Sequence, residues 1–254
     1  MDLNLNPNLG AGRRGPHRAG ELGEDWVHRN MYCPACQCDE LDRLPPGTEL
    51  IDFRCDSCEE TFQLKSQKHR FGRKVLDSAW SVLGPAVKEN RAPGFFFLQY
   101  APMSLQVSHF FIVPGHFINL QTVERRKELS PTARRAGYVG SYVLLSNVPE
   151  EALIPVIEAP IIRSPVEVRE RWRRFAFVKK SRMEGRGWIG DVLRCVEQLG
   201  KREFTLREVY EFEEELRERH PRNRNVRPKI RQQLQVLRKH GIVQFLERGK
   251  YRLL

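Results

Sequence analysis

No run of apolar residues approaches the roughly 20 that a helix needs to cross a bilayer. The longest patches, Phe95–Leu98 and Phe110–Val113, are strand-sized. A helical membrane span is thereby excluded, and no membrane partner is expected. The opening segment, MDLNLNPNLGAGRRGPHRAGELGEDW, lacks the apolar stretch of a secretory signal, so a cytoplasmic protein is expected. Internal repeats are absent. Acid is scarce: 32 Asp+Glu stand against 43 Lys+Arg, a formal net charge of +11. Such a surplus leaves two classes open, a merely soluble surface or a polyanionic partner. What the chain has in quantity is apolar material. At 40% hydrophobic it is not a disordered chain, and its 254 residues suffice for one large domain or two ordinary ones.

Six cysteines are present, and four form two pairs, Cys33-Pro-Ala-Cys36 and Cys55-Asp-Ser-Cys58, with 18 residues between them. This is zinc-ribbon or treble-clef spacing: each CxxC turn presents two sulfurs, and two turns close a tetrahedron around Zn²⁺. Thiolate ligation implies a reducing compartment. Cys38 is a competing ligand, but Cys36 completes the CxxC. Cys195, set among Val and Leu, reads as a buried core thiol. With four protein ligands the site is closed, so its expected role is structural.

Composition divides the chain into a flexible arm over 1–20, a mixed α/β domain over 21–180 and a winged helix-turn-helix over 181–254. In the first domain a helix is expected from near Glu21, strands at Leu50–Arg54 and Glu60–Lys65, a helix over Val75–Lys88, and strands at Phe95–Tyr100, Val107–Val113 and Tyr142–Leu145. Residues Pro155 to Pro165 read as irregular, followed by a basic helix, Val166–Phe177. In the second domain helices are expected at Trp188–Leu199, Thr205–Arg219 and Arg227–His240, then two strands. Thr205 and Glu208 form a capping box.

The charge is strongly segregated in this last part. Glu203–Glu218 holds 7 acidic and 2 basic residues, while Arg222–Leu254 holds 10 basic and 1 acidic. On the third helix Ile230, Leu234 and Leu237 line one face. Arg227, Lys229, Arg231, Gln232 and Gln235 are then candidates to meet DNA, because Arg and Gln can read guanine and adenine edges. Arg248 and Lys250 on the wing would grip phosphate.

Asp52, Gln63 and Lys65 resemble the PD-(D/E)xK nuclease core, an acid on one strand and an x-Lys tail on the next. The chemistry needs these types: oxygen ligands hold Mg²⁺ against the scissile phosphate, and lysine orients the attacking water and offsets phosphate charge. Strand periodicity puts Gln63 and Lys65 on one face and Phe62 and Leu64 on the other.

Longer motifs carry a family resemblance. EDWVHRNMYCPAC, DFRCDSCEETFQLKS, FFFLQY, SPTARRAGYVG, SRMEGRGW and KIRQQLQVLRKHGIVQFLERGKYRLL occur in that order, from Glu24 to Leu254. The chain resembles the DpnI-type, Dam-replacing methyl-directed restriction endonucleases. The resemblance implies a PD-(D/E)xK endonuclease-like domain with a zinc-binding insertion, followed by a winged helix-turn-helix domain. It implies Mg²⁺-dependent double-strand cleavage of GATC sites carrying methylated adenine, by an enzyme of the bacterial cytoplasm expected to be a monomer in solution. Asp52 would be the metal-binding acid and Lys65 the catalytic lysine, with zinc on Cys33, Cys36, Cys55 and Cys58. Arg134, Arg135 and Tyr138 would belong to the first domain's methyl-reading loop, with Tyr138 where the family more usually has tryptophan.

One position departs from the pattern. Gln63 stands where the family has Glu, which removes one negative charge from the Mg²⁺ site. Glu24 and Asp77 are the carboxylates available to compensate; strand alternation points Glu60 away. The alternative is a non-catalytic reader of methylated DNA on a decayed nuclease fold. Methyl recognition itself argues for two reading domains. Two buried methyls give about 1.6 kcal/mol, roughly fifteenfold discrimination, and a second domain reading the same mark doubles that free energy.

Overall fold

The structure, a computed structural model, describes residues 1–9 and 15–254. Its first unit runs α1 (Pro16–Asn30), β1 (Asp42–Arg43), β2 (Phe53–Arg54), β3 (Thr61–Gln67), β4 (Lys74–Ala79), α2 (Trp80–Lys88), β5 (Gly94–Ala101), β6 (Gln106–Val113), β7 (Val123–Arg125), β8 (Gly140–Leu144), β9 (Ile154–Glu158), β10 (Ile161–Ile162), α3 (Pro165–Arg174) and α4 (Ala176–Lys179). The second runs α5 (Met183–Gln198), β11 (Glu203–Thr205), α6 (Leu206–Tyr210), α7 (Glu213–Arg219), α8 (Val226–Lys239), β12 (Val243–Glu247) and β13 (Lys250–Leu253).

The central sheet is mixed, in the order β1-β2-β3-β5-β6-β9-β10, with β3 and β5 parallel. The sequence of β5 explains why it lies inside. Phe95, Phe96, Phe97 and Leu98 are all fully buried, because alternate residues feed two different cores. Phe96 and Leu98 join one core with Leu22 and Trp26 of α1 and Val168 and Trp172 of α3. Phe95 and Phe97 join the other, which includes Leu83 and Val87 of α2 and runs on without a break through Phe117, Val148 and Phe175 to Trp188, Val192, Ile230 and Leu234 of the second unit. A small antiparallel sheet, β4-β8-β7, flanks this side.

The second unit packs four helices, α5 to α8, with a three-stranded sheet, β11-β13-β12, whose last two strands follow α8 as in a winged helix-turn-helix. Thr205 caps α6 with the expected box: its hydroxyl accepts from Glu208 N and the Glu208 carboxylate takes the Thr205 N–H. The expected Thr205–Arg219 helix is interrupted at Glu211–Phe212 and forms α6 and α7.

Three further expectations are corrected. Val75–Lys88 is not one helix: Lys74–Ala79 is a strand, pairing Val75 with Val143 and Asp77 with Ser141, and only Trp80–Lys88 is helical. A local pattern cannot register a strand partner more than 60 residues away. Pro155–Pro165 is not irregular, since β9 and β10 form an antiparallel pair with Ile162 opposite Ile157. The arm expected over 1–20 is largely structured where it is described. Leu5 is buried, Leu5 N and Val107 N bond across to Leu105 O and Leu3 O, and Trp26 Nε1 donates to Asp2 O. Helix α1 already begins at Pro16, a residue suited to a first turn. Residues 10–14 of that arm lie outside the described residues.

Candidate functional site

The four cysteines converge. Cys33 and Cys58 Sγ lie 3.6 Å apart, as do Cys36 and Cys55, and all four sulfurs fall within 4.8 Å of one another. A disulfide would need about 2.05 Å. A tetrahedral Zn²⁺ with Zn–S near 2.3 Å sets sulfurs about 3.8 Å apart, so the donor set fits zinc. Cys38 stands aside: its thiol donates to Glu40 O at 3.3 Å and its N–H points to Cys36 Sγ at 3.4 Å. Cys195 is a buried thiol on α5, as expected.

Arg169, on α3, holds this knuckle in place, and nothing in the sequence pointed to it. Its guanidinium donates to Cys33 O, Cys38 O, Gln37 Oε1 and Asp39 Oδ1 at 2.9–3.2 Å and lies 4.9 Å over the Tyr32 ring. The partners are 130 or more residues away in sequence, beyond any local motif.

The sheet sets Asp52 beside β3, the strand that carries Gln63 and Lys65. Pairing of Phe53 with Phe62 sets the register, and Asp52 N donates to Phe62 O at 2.8 Å. Asp52 Oδ2 accepts the Leu64 N–H at 2.6 Å, which fixes the carboxylate beside β3. Phe62 faces the α1 core and stacks on Phe96 with centroids 4.4 Å apart. Gln63 and Lys65 face the opposite side, where Lys65 Nζ lies 5.9 Å over the Phe95 ring. Gln63 is buried, and its Oε1 has no hydrogen-bond donor among the described residues. A buried orphan acceptor costs free energy unless something occupies it, and an amide oxygen is a competent Mg²⁺ ligand.

Charge around Asp52 is unevenly compensated. Burial raises its carboxyl above the ordinary range; the Leu64 N–H and Lys65 pull it down, while Glu24 and Asp77 push it further up. A cation would relieve that. Helix α1 approaches β3 closely at Gly23, where a Cβ would come within 2.7 Å of Ser66, and so Glu24 is delivered near Asp52. Glu24 is engaged by Arg43 of β1. Asp77, on β4, is paired with Lys65. Glu60 turns away, as alternation predicts, and pairs with Lys179 of α4.

A cavity of about 570 Å³ opens beside Lys65, lined also by Ala19, Lys68, His69, Phe71 and Lys74. Its rim, the Lys68–Lys74 segment, carries Lys68, Arg70, Arg73 and Lys74, all exposed. The charge of this loop is evident in the sequence, but its place beside Lys65 comes only from the fold. The SPTARRAGY loop rises between β7 and β8 and is tied at its neck by Leu129 N to Tyr138 O. Arg134 and Arg135 are exposed, and Arg135 lies 4.0 Å over the half-buried Tyr138 ring.

On α8, Ile230, Leu234 and Leu237 are buried and Arg231, Gln232 and Gln235 are exposed, as the periodicity predicts. Lys229 is half-buried. Arg227 is exposed but committed inward, donating to Glu213 Oε2 at 2.6 Å and lying 5.1 Å over Tyr210. In the wing Arg248 is exposed and Lys250 pairs with Glu247. No helix among the described residues is long and apolar enough to cross a membrane.

Comparison with known families gives two matches. The model of DpnI, the Dam-replacing family, matches residues 1–181, and that of the Dam-replacing HTH domain matches residues 184–253.

Proposed function

We propose, from the chain's membership in the Dam-replacing family, a methyl-directed restriction endonuclease that makes Mg²⁺-dependent double-strand breaks at GATC sites carrying methylated adenine. The observation that carries the catalytic reading is the convergence of Asp52, the donorless buried Gln63 Oε1 and Lys65 on one face of the β2–β3 pair. Asp52 and Gln63 would hold Mg²⁺ by their oxygens. Bound there, the ion would polarise the scissile phosphate and make the attacking water more acidic. Asp52 is kept in place by Leu64 N, so no reorganisation of that carboxylate is needed on binding. Lys65 would set its ammonium against the phosphate and the attacking water. Cys33, Cys36, Cys55 and Cys58 would hold a structural zinc with no coordination position left open.

DNA recognition is assigned to two surfaces. Arg231, Gln232 and Gln235 of α8 would meet base edges in the major groove, with Arg227 and Lys229 at its start and Arg248 and Lys250 on phosphate. Arg134, Arg135 and Tyr138 would read the methylated adenine in the first unit, the tyrosine face against the methyl. Domain limits of 21–180 and 181–254, a monomer in solution and a reducing bacterial cytoplasm belong to the same reading.

The test is digestion of adenine-methylated and unmethylated plasmid at two Mg²⁺ concentrations. Cutting of the methylated plasmid alone is expected, and Asp52→Ala and Lys65→Ala should each abolish it while leaving binding of methylated duplex intact. Normal cutting by either variant would overturn the site. Gln63 keeps a second reading in view, a reader that binds methylated GATC without cleaving it; wild-type binding with no cleavage in Mg²⁺ or Mn²⁺ would select that one.

A further inference from the structure

The candidate centre is short of negative charge. Asp52 contributes −1, Lys65 +1 and the neutral Gln63 nothing, a sum of zero, whereas Mg²⁺ is held through anionic oxygen. Asp77 lies against the same lysine. Its side chain is 0% exposed, and its Oδ1 contacts the Lys65 ammonium without receiving a well-aligned hydrogen bond from any described residue. Strand β4 delivers it there: Asp77 pairs with Ser141 of β8, and a bulge between Asp77 and Ala79 re-aims the strand at this point. A carboxylate so buried persists only with a charged partner, and its partner is Lys65. Glu24, the other acid near Asp52, is 30% exposed and held by Arg43. Among the described residues Lys65 forms its ion pair with Asp77 and none with Asp52.

We propose that Asp77 is a positioning residue, which draws Lys65 Nζ away from Asp52 and supplies the negative charge that Gln63 lacks. With it the centre sums to −1, and Asp52 and Gln63 Oε1 are left unobstructed for a divalent cation. The role rests on the nuclease reading above, but its first test, metal binding, does not require cutting.

Mn²⁺ binding to the full-length zinc-loaded chain, followed by the electron paramagnetic resonance of free Mn²⁺, tests it. Asp77→Asn should weaken binding about tenfold, the loss of one nearby charge acting on a divalent ion. Combining it with Gln63→Glu should restore wild-type affinity. Wild-type binding by Asp77→Asn, or a deficit that Gln63→Glu leaves untouched, overturns the proposal, because a purely structural role would be blind to residue 63. Should Asp77→Asn unfold, Asp77→Glu replaces it. Retained Mn²⁺ binding with lowered kcat and unchanged KM for DNA supports positioning; lost binding overturns it. A wild-type chain whose Mn²⁺ binding depends on Asp77 yet never cuts methylated DNA would sink the nuclease reading and leave this charge assignment standing.

Discussion

Glu197 belongs to α5, yet its carboxylate caps backbone of the first unit: Oε2 accepts from Glu150 N at 2.8 Å and Oε1 from Glu151 N at 3.0 Å. Burial lifts this carboxyl from an ordinary 4.5 to about 7, against the downward pull of those two N–H groups. The folded chain therefore holds a proton that the unfolded chain has released. Stability from this group is full below 4.5 and is lost as pH rises through about 7. Replacing the acid with an amide, Glu197→Gln, should flatten that dependence. Melting midpoints measured from about pH 5 to about pH 8 should fall more steeply for wild type than for the variant. Equal slopes would show that Glu197 does not titrate in that window. At this scale, residues whose partners are local were legible in the sequence. The two CxxC turns carry their own geometry, and Asp52, Gln63 and Lys65 follow from strand alternation. Glu197 was not legible in its role, and Asp77 was legible as a compensating carboxylate but not as the partner of Lys65, since each acquires its partner from an element folded up against it.

The cysteine knuckle shows the same limit at the scale of the element. Its four cysteines come from two short turns, and the first of these is fastened to α3 by one arginine. Helix α3 starts with a full capping box, Ser164 with Glu167, so Arg169 is presented from a well-anchored first turn and a half. Arg169→Ala should cost about 2–4 kcal/mol, because it strands several carbonyl and carboxylate acceptors. Chemical denaturation measures that cost, and zinc release to a chelator should be faster in the variant. Unchanged release would mean that the turns stand without α3. Helix α8 is legible because its buried positions recur along one segment, and β5 because its continuous apolar run is strand-sized. Strand β4 was misread as helix because its identity depends on β8, and β9–β10 because prolines at both ends mimic a loop.

Across the whole molecule the +11 surplus is concentrated rather than spread. Arg231, Gln232 and Gln235 on α8 and Arg248 on the wing are exposed, while Glu213 of the acidic α7 restrains Arg227. A second basic surface, the Lys68–Lys74 loop, borders the candidate centre itself. Binding to methylated duplex should weaken steeply with salt. Arg248→Ala should reduce the slope of log K against log salt by about 1, without changing the preference for methylated over unmethylated sites. A change in that preference would make Arg248 a base-reading residue. The fold class, the order of the two units and the basic face were all legible from pattern and charge; the merging of their interiors was not, because a hydrophobic stripe does not say which neighbour will cover it.

That merging bears on how such a protein can be rebuilt. Trp188 and Val192 of α5 share one interior with Phe117, Val148 and Phe175, and the Phe177 ring of α4 stacks on His240 at 3.8 Å. A cut near residue 181 would therefore pass through an interior and not a hinge. Grafting the C-terminal reader onto an unrelated cutter, or supplying the two halves as separate polypeptides, would bare two matching oily faces. The workable unit of exchange is the exposed side-chain set on α8, altered in place on an undivided chain.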